Sequence, residues 1–439
     1  MPEVTLPQIL EAREKRVELQ KRLIRAYQTS LICFTMNIAG PKKTTPLIER
    51  AFYEGVNLLA KHFSECTVYS RADSLVTGCE AMLCVSMDAK QVKDICAAIE
   101  DSHPLGRLFD MDVISTDGEK LSRKDMRGCI VCGKKGRECA AGRRHSVAEL
   151  QQVTNRIISD YFFCKDAAYF ENLAYESLLE EVYTTPKAGL VDRCNNGSHA
   201  DMDVALFEKS ALALKPYFRQ CFEIGRKTCE LPAEKTFAFL RKAGIEAEKT
   251  MFAATGGVNT HKGAVFSFGV LCGAAGRLWS AEKKDIQVEE LLVVCAHMTK
   301  KAMEEDFAHL DTSTAGGRLY RAHNLTGIRG EVASGFQSVK TISLPVFQRA
   351  LEKGFSRNDS GAIALVHLIA QVEDTTIYNR GGKNGANFAK ESAGELLKHT
   401  DFPTTLDMQR LDQAFIARNL SAGGCADLLA VTYFLSKLS

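Results

Sequence analysis

RRHSVAELQQVTNRIISDYFFCKDAAYFENLAYESLLEEVYTT, residues 143–185, contains neither glycine nor proline. A stretch this long without a breaker reads as continuous helix, and so as a stiff join and not a flexible tether. The sequence differs in texture on its two sides. Upstream, to about residue 128, short β-type runs such as SLICFTMNI (30–38) and EAMLCVSM (80–87) alternate with helical ones such as AKQVKDICAAIEDS (89–102). Downstream of about residue 150, long helical patterns are joined by glycine-rich turns. The expected fold is therefore two domains: residues 1–155, α+β with a mixed sheet, and residues 156–439, an all-α helical bundle.

Composition agrees with two domains. The chain has 439 residues, 45% apolar and 25% charged, more than one hydrophobic core usually serves. EAREKRVELQKRLIRAYQ (11–28) is a charged helical pattern without a signal-peptide core, and no later run approaches the ~18 uncharged residues of a membrane span. A cytoplasmic protein that does not enter membranes is expected. The fifteen cysteines have no disulfide-framework spacing, so most read as small buried hydrophobes. A net charge of +2 gives no global reason to expect nucleic-acid binding, yet residues 120–145 carry nine Lys/Arg against two Asp/Glu.

That basic run contains GCIVCGKKGRECAAGRRHS (128–146), with Cys129, Cys132, Cys139 and His145 spaced as Cys-x2-Cys-x6-Cys-x5-His. Three readings stand: a structural Zn²⁺ site, for which these are suitable ligands, a redox Cys-x2-Cys, and simply packed thiols. The turn-like Gly-Lys-Lys-Gly after Cys132 argues against the redox pair, which needs a helix N-terminus. Arg143 and Arg144 read either as a solvated face or as contacts to a polyphosphate.

Just upstream, HPLGRLFDMDVIS (103–115) reads as a turn followed by a strand. With period two, Phe109, Met111 and Val113 face the core, while Asp110 and Asp112 stand together on the other face. Such a pair is either a solvated strand face or a Mg²⁺ site for transfer of a phosphate-bearing group, with Gly106 and Arg107 placed to meet the phosphates. FTMNIAGPKK (34–43), TGCEAMLCV (77–85), HPLGRLFDMDV and the cysteine run ending RRHSVAEL together resemble apo-citrate lyase phosphoribosyl-dephospho-CoA transferase, over about residues 1–155. The resemblance implies transfer of a phosphoribosyl-dephospho-CoA unit from its triphosphate precursor to a serine of the citrate lyase acyl carrier protein, releasing pyrophosphate. It makes Asp110 and Asp112 the expected Mg²⁺ ligands and Arg107 a triphosphate contact. Asn37, Gly40 and Lys42 fall in a candidate phosphate loop.

The second half has its own constellations. In TTPKAGLVDRCNNGSHADMDVALFEKSALALKPYF (184–218), Asp192, His199, Asp201 and Asp203 crowd the approach to a helix expected to start near Asp201. Asp201 as an N-cap with Asp203 in the first turn is the plain account; Mg²⁺ binding or proton transfer is the functional one. ATGGVNTHKGAVFSFGVLCGAAG (254–276) sets Gly256, Gly257, Asn259, His261 and Lys262 before a helix, as a turn or as a phosphate cradle. QVEDTTIYNRGGKNG (371–385) brings Glu373 and Asp374 near Arg380, and NLSAGGCADLLAVTYFL (419–435) opens a last apolar helix with two glycines. A bundle would gather these ends into one site for a metal-bound polyphosphate.

These segments closely resemble triphosphoribosyl-dephospho-CoA synthase, over about residues 165–439. That family joins ATP to 3′-dephospho-CoA at the ribose carbon that held adenine, and its α-linked product implies a single inverting displacement. The chain thus looks like a fusion in which one domain makes the precursor that the other attaches. The chemistry asks for a base toward the attacking hydroxyl and a donor toward the departing adenine. The resemblance turns Asp192, His199, Asp201, Asp203 and Glu373 into catalytic candidates, with Mg²⁺ at Asp201 and Asp203. Lys187, Gly256, Gly257, Asn259, His261, Lys262, Asp374 and Arg380 become candidates for binding substrate. The rival readings are a non-catalytic assembly factor that docks the carrier protein, and a zinc-containing nucleic-acid-binding protein. The first has no use for carboxylate pairs beside a glycine cradle, and the second lacks a broad basic face with interleaved aromatics.

Overall fold

The computed structural model describes residues 3–123, 127–283, 285–309 and 315–438; Lys124, Asp125 and Met126 of the basic run lie outside them. The chain divides into two compact units, Met1–Lys165 with Ser280–Lys284, and Asp166–Trp279 with Asp285–Ser439.

The first unit runs α1 (Leu6–Tyr27), β1 (Ser30–Met36), α2 (Pro46–His62), β2 (Thr67–Leu75), β3 (Gly78–Val85), α3 (Ala89–Ser102), β4 (Phe109–Ile114), β5 (Lys120–Leu121) and α4 (Gly136–Ala141). The strands form one sheet in the order β2-β3-β1-β4-β5. It is α+β as expected, but every pair is antiparallel, so the expected mixed sheet is corrected. The reason lies in the crossovers. Each helix-linked pair, β1 with β2 and β3 with β4, runs parallel but is separated by one strand, which is the split β-α-β arrangement of ferredoxin-like folds.

Register assigns the two faces. Phe34 lies opposite Met111, and Met36 opposite Phe109; on this face Phe34 stacks on Phe52 of α2 at 5.1 Å. On the other face Leu23 and Ile24 of α1 pack on Leu31, Cys33, Met82, Cys84 and Ile114. Beyond them this second face continues as a polar row, Asp73–Glu80–Thr35–Asp110.

Helix α5 (Val147–Tyr183) fills the breaker-free stretch. The second unit continues with α6 (Val204–Lys227), α7 (Ala233–Thr255), α8 (Lys262–Leu278), α9 (Val288–Ala308), α10 (Ala315–His323), α11 (Gly327–Ala333), α12 (Leu344–Glu352), α13 (Arg357–Gln371), α14 (Thr375–His399), α15 (Thr405–Ile416) and α16 (Gly423–Ser436). Helix α6 starts at Val204 with Asp203 as N-cap, not at Asp201, because Asp203 is the residue whose carboxylate reaches the Leu206 amide, at 2.8 Å. Most residues of α8, α13 and α16 are buried, as in helices surrounded by others. Helices α6 and α8 meet backbone to backbone: a Cβ on Gly276 would fall 2.0 Å from the Phe222 carbonyl oxygen. Tyr433, fully buried in α16, shares a hydrogen bond of 2.6 Å with Thr184.

Candidate functional site

Each unit carries a site of its own. In the first, the row across the open sheet face gathers Asp73, Glu80, Asp110 and, one pair along, Asp112. Arg16 of α1 binds Glu80 at 2.7 Å, and Lys120 of β5 binds Asp112 at 2.5 Å. Asp110 faces outward, and its carboxyl is raised, first by desolvation and then by the Asp112 charge. The expected pairing of Asp110 with Asp112 on one face is therefore present. Glu80, Arg16 and Lys120 were not legible, because cross-strand register is not written in any one segment.

The loop after β1 lies at the same end: the Asn37 amide donates to the Leu108 carbonyl at 2.7 Å. Asn37 and Lys42 are exposed. Gly40 is closed in, since a Cβ there would fall 2.6 Å from Gln151 Nε2. Gly106 is also closed, its Cβ position lying 2.3 Å from the Glu100 carbonyl. Arg107 donates to the Gly128 carbonyl, so it ties down the cysteine loop in this structure. Arg143 and Arg144 stand exposed ahead of α5. The ligand atoms of Cys129, Cys132, Cys139 and His145 all lie within 4.8 Å of one another.

In the second unit a cavity of about 800 Å³ opens where the N-terminal ends of α8, α14 and α16 converge. Its lining includes Lys187, His199, Asn259, His261, Lys262, Glu373 and Asp374 from the expected set. Among the described residues Asp192, Asp201, Asp203, Gly256, Gly257 and Arg380 are not part of that lining. Each has another place. The Asp192 carboxylate is buried and accepts hydrogen bonds from Thr185, the Lys187 amide, and the Cys194 and Asn195 amides, which organises the turn. Asp201 is exposed. Gly256 ends α7 in the left-handed region at φ 65°, and Gly257 follows at φ 93°.

Arg380 acts through His199. It donates to Nδ1 at 3.0 Å and to the Ser198 carbonyl at 2.7 Å. Nδ1 is thus an acceptor, so the ring hydrogen sits on Nε2, which is 2.9 Å from Ser421 Oγ. Desolvation and the Arg380 charge hold His199 below its ordinary pKa. With both nitrogens engaged, His199 positions the wall and has no free atom for proton transfer.

His261 differs. Thr260 donates to Ser210 Oγ at 2.7 Å, which leaves the Ser210 hydrogen for His261 Nδ1 at 2.8 Å. Its Nε2–H then has no partner among the described residues, although the residue is buried. Burial and the Lys187 charge lower its pKa to about 3, so it is a neutral donor. Asp374 is fixed differently, accepting from the Thr376, Ile377 and Cys425 amides and joining the starts of α14 and α16. Glu373 pairs with Lys390 at 2.5 Å, and Lys262 with Glu248 at 3.1 Å. Lys187 is buried against Glu181, at 2.5 Å.

The residue that sequence reading missed is Asp427. It lines the cavity, accepts no hydrogen bond among the described residues, and is raised well above the ordinary range by desolvation and by the charges of Glu181 and Asp374. Gly263 makes room for it: a Cβ there would stand 1.9 Å from Asp427 Oδ2. An unpaired carboxylate on a wall of amide-rich helix ends suits a proton acceptor beside bound phosphates.

Fold and sites together define a two-domain transferase, with a carboxylate-bearing sheet in one unit and a polyphosphate-sized cavity in the other. Residues 167–439 match the family ATP:dephospho-CoA triphosphoribosyl transferase, and residues 4–161 match apo-citrate lyase phosphoribosyl-dephospho-CoA transferase. "Protein CitXG" of Haemophilus influenzae is 36% identical over 98% of this chain and 96% of its own length. The protein of that name from Leuconostoc mesenteroides subsp. cremoris is 34% identical over 99% and 97%. The 2-(5''-triphosphoribosyl)-3'-dephosphocoenzyme-A synthase of Pectobacterium atrosepticum is 39% identical over 64% of this chain and 93% of its own. The chain belongs to the ATP:dephospho-CoA triphosphoribosyl transferase family, with the second transferase fused ahead of it. Its place is in biosynthesis of the citrate lyase prosthetic group.

Proposed function

We propose that the chain catalyses two successive steps. In the second unit the 2′-hydroxyl of 3′-dephospho-CoA attacks the ribose carbon of ATP that bears adenine. The new C–O bond replaces the C–N bond with inversion, adenine departs with the bonding pair, and the hydroxyl proton is released. The first unit then transfers the product to a serine of the citrate lyase acyl carrier protein: the serine oxygen bonds to the α-phosphorus, the bond from that phosphorus to the bridging oxygen breaks, pyrophosphate leaves with the bonding pair, and the serine proton passes to solvent.

The observation that carries this reading is the convergence of three helix N-termini on one cavity, where amide ends favour a triphosphate. Asp427 takes the hydroxyl proton, since a raised carboxyl is the stronger base. The free Nε2–H of His261 donates to a phosphate oxygen or to the departing base. Arg380 and Asp374 hold the walls. The nucleotide's Mg²⁺ would neutralise phosphate charge, and with Asp427 serving as the proton acceptor Glu373 is the wall carboxylate that would meet such an ion; Asp201 and Asp203 do not line the cavity.

In the first unit Asp110 and Asp112 fit Mg²⁺, because two like charges share a face and only Asp112 has a lysine partner among the described residues. The ion would supply charge neutralisation for departing pyrophosphate. Arg143, Arg144, Asn37 and Lys42 are exposed, where they would meet the triphosphate or the acidic carrier. The cysteine–histidine group stands apart from both reactions, and a Zn²⁺ there would be structural. No helix among the described residues is long and apolar enough to cross a membrane; a cytoplasmic setting agrees with ATP and dephospho-CoA as substrates.

Incubation with ATP, Mg²⁺ and dephospho-CoA should release free adenine. Adding the apo carrier protein should then release pyrophosphate and increase the carrier's mass by one prosthetic group. Absence of adenine with well-folded protein would overturn the synthase assignment.

A further inference from the structure

We propose that Cys129, Cys132, Cys139 and His145 bind one zinc ion, and that this ion fixes the shape of the basic loop. The four ligand atoms lie within 4.8 Å of one another. Tetrahedral zinc with sulfur ligands at about 2.3 Å sets those ligands roughly 3.8 Å apart. Cys132 and Cys139 already approach to 3.5 Å, while all fifteen cysteines are free thiols. His145 Nε2 is buried without a hydrogen-bond partner among the described residues, which costs free energy unless another acceptor of its lone pair is present. Three sulfurs and an imidazole are soft donors that suit zinc and not Mg²⁺.

The backbone is shaped for the same purpose. The Cys129 amide donates to the Lys134 carbonyl at 2.5 Å, the Gly133 amide donates back to Cys129 at 2.9 Å, and Gly128 bridges to Lys135. This tight turn aims the Val131 and Cys132 amides at the Cys129 sulfur. A redox pair is disfavoured because no helix begins at Cys129; α4 starts only at Gly136.

The loop is stitched to the transferase site at its base. Arg107 donates to the Gly128 carbonyl, and Arg127 donates to the carbonyls of Gly106 and, at 2.6 Å, Phe109. Both guanidiniums therefore join the foot of the cysteine turn to the segment that leads into Asp110. The ion takes no part in the chemistry; it fixes the loop that these arginines hold.

The test is elemental analysis of the full-length chain, purified without a histidine tag or chelator and dialysed exhaustively. About one zinc per chain is expected. Cys132→Ser and His145→Ala should each lose most of it, whereas Cys194→Ser, outside the group, should retain it. Titrating native thiols with a mercurial in the presence of a colorimetric zinc indicator should release zinc in step with three sulfurs. Wild-type protein with no zinc and three freely reactive thiols, or zinc that survives both ligand substitutions, would overturn the proposal. The wild-type measurements stand even where a variant fails to fold, and none of them depends on either transferase activity.

Discussion

Gly263 and Asp427 occupy one another's space: a Cβ on the first would lie 1.9 Å from a carboxylate oxygen of the second. Helix α8 thus gives up a side chain so that a carboxylate of α16 can stand at the cavity wall. Gly263→Ala should displace that carboxylate and depress adenine release. Asp427→Asn keeps the shape and removes the base, so adenine release should fall about 10²–10⁴-fold, the usual worth of general-base catalysis. An Asp427→Asn variant with wild-type turnover would remove Asp427 from the mechanism.

The pH profile follows with a definite sign. Asp427 is raised, and a base works only when deprotonated, so kcat/KM for adenine release should fall as pH drops through that raised value. Asp427→Asn should flatten that limb, which is checked by initial rates across pH at saturating Mg²⁺.

Arg380 should matter through His199 and not through the substrate. Its charge helps desolvation to lower the His199 pKa, so Arg380→Ala should move that value back up toward the ordinary histidine range. NMR titration of the ring reads this directly. An unchanged His199 titration would contradict the positioning role.

His261 makes the second unit acid-sensitive. Its folded pKa of about 3 lies below the unfolded 6.5, so the unfolded chain binds the extra proton below pH 6.5. Stability from this group is complete above 6.5 and declines by up to about 1.4 kcal/mol per pH unit as acid is added, until pH approaches 3. His261→Gln should lessen the slope of thermal midpoint against pH in that window.

Asp110→Asn and Asp112→Asn should abolish carrier modification while leaving adenine release intact, measured on the same preparations. Retained transfer in both variants would sink the Mg²⁺ assignment.

The carboxylates of β4 were legible because a strand repeats every two residues, and Phe109, Met111 and Val113 declare which face is inward. The gathering of helix ends was legible in the same local way, from glycines and acids before apolar runs. The order of strands was not, since helix-linked strands usually pair directly and here each pair leaves a gap for a third. Asp427 was hidden as a single charged residue in the apolar run CADLLAVTYFL, and only the proximity of Gly263 draws notice to it. Asp192 and Asp374 looked chemical, but their oxygens are taken by backbone amides, a use that sequence pattern does not separate from metal binding.

The central place of β1 governs how the chain emerges from the ribosome. Ser30–Met36 precedes both of its hydrogen-bonding partners in the chain, so its ladder with β3 waits until Val85 has been synthesised and its ladder with β4 until Ile114. At roughly 5–20 residues per second that is an interval of seconds in which SLICFTM, apolar and unpaired along both edges, waits in the open. An apolar strand with both edges open is a template for aggregation while it waits.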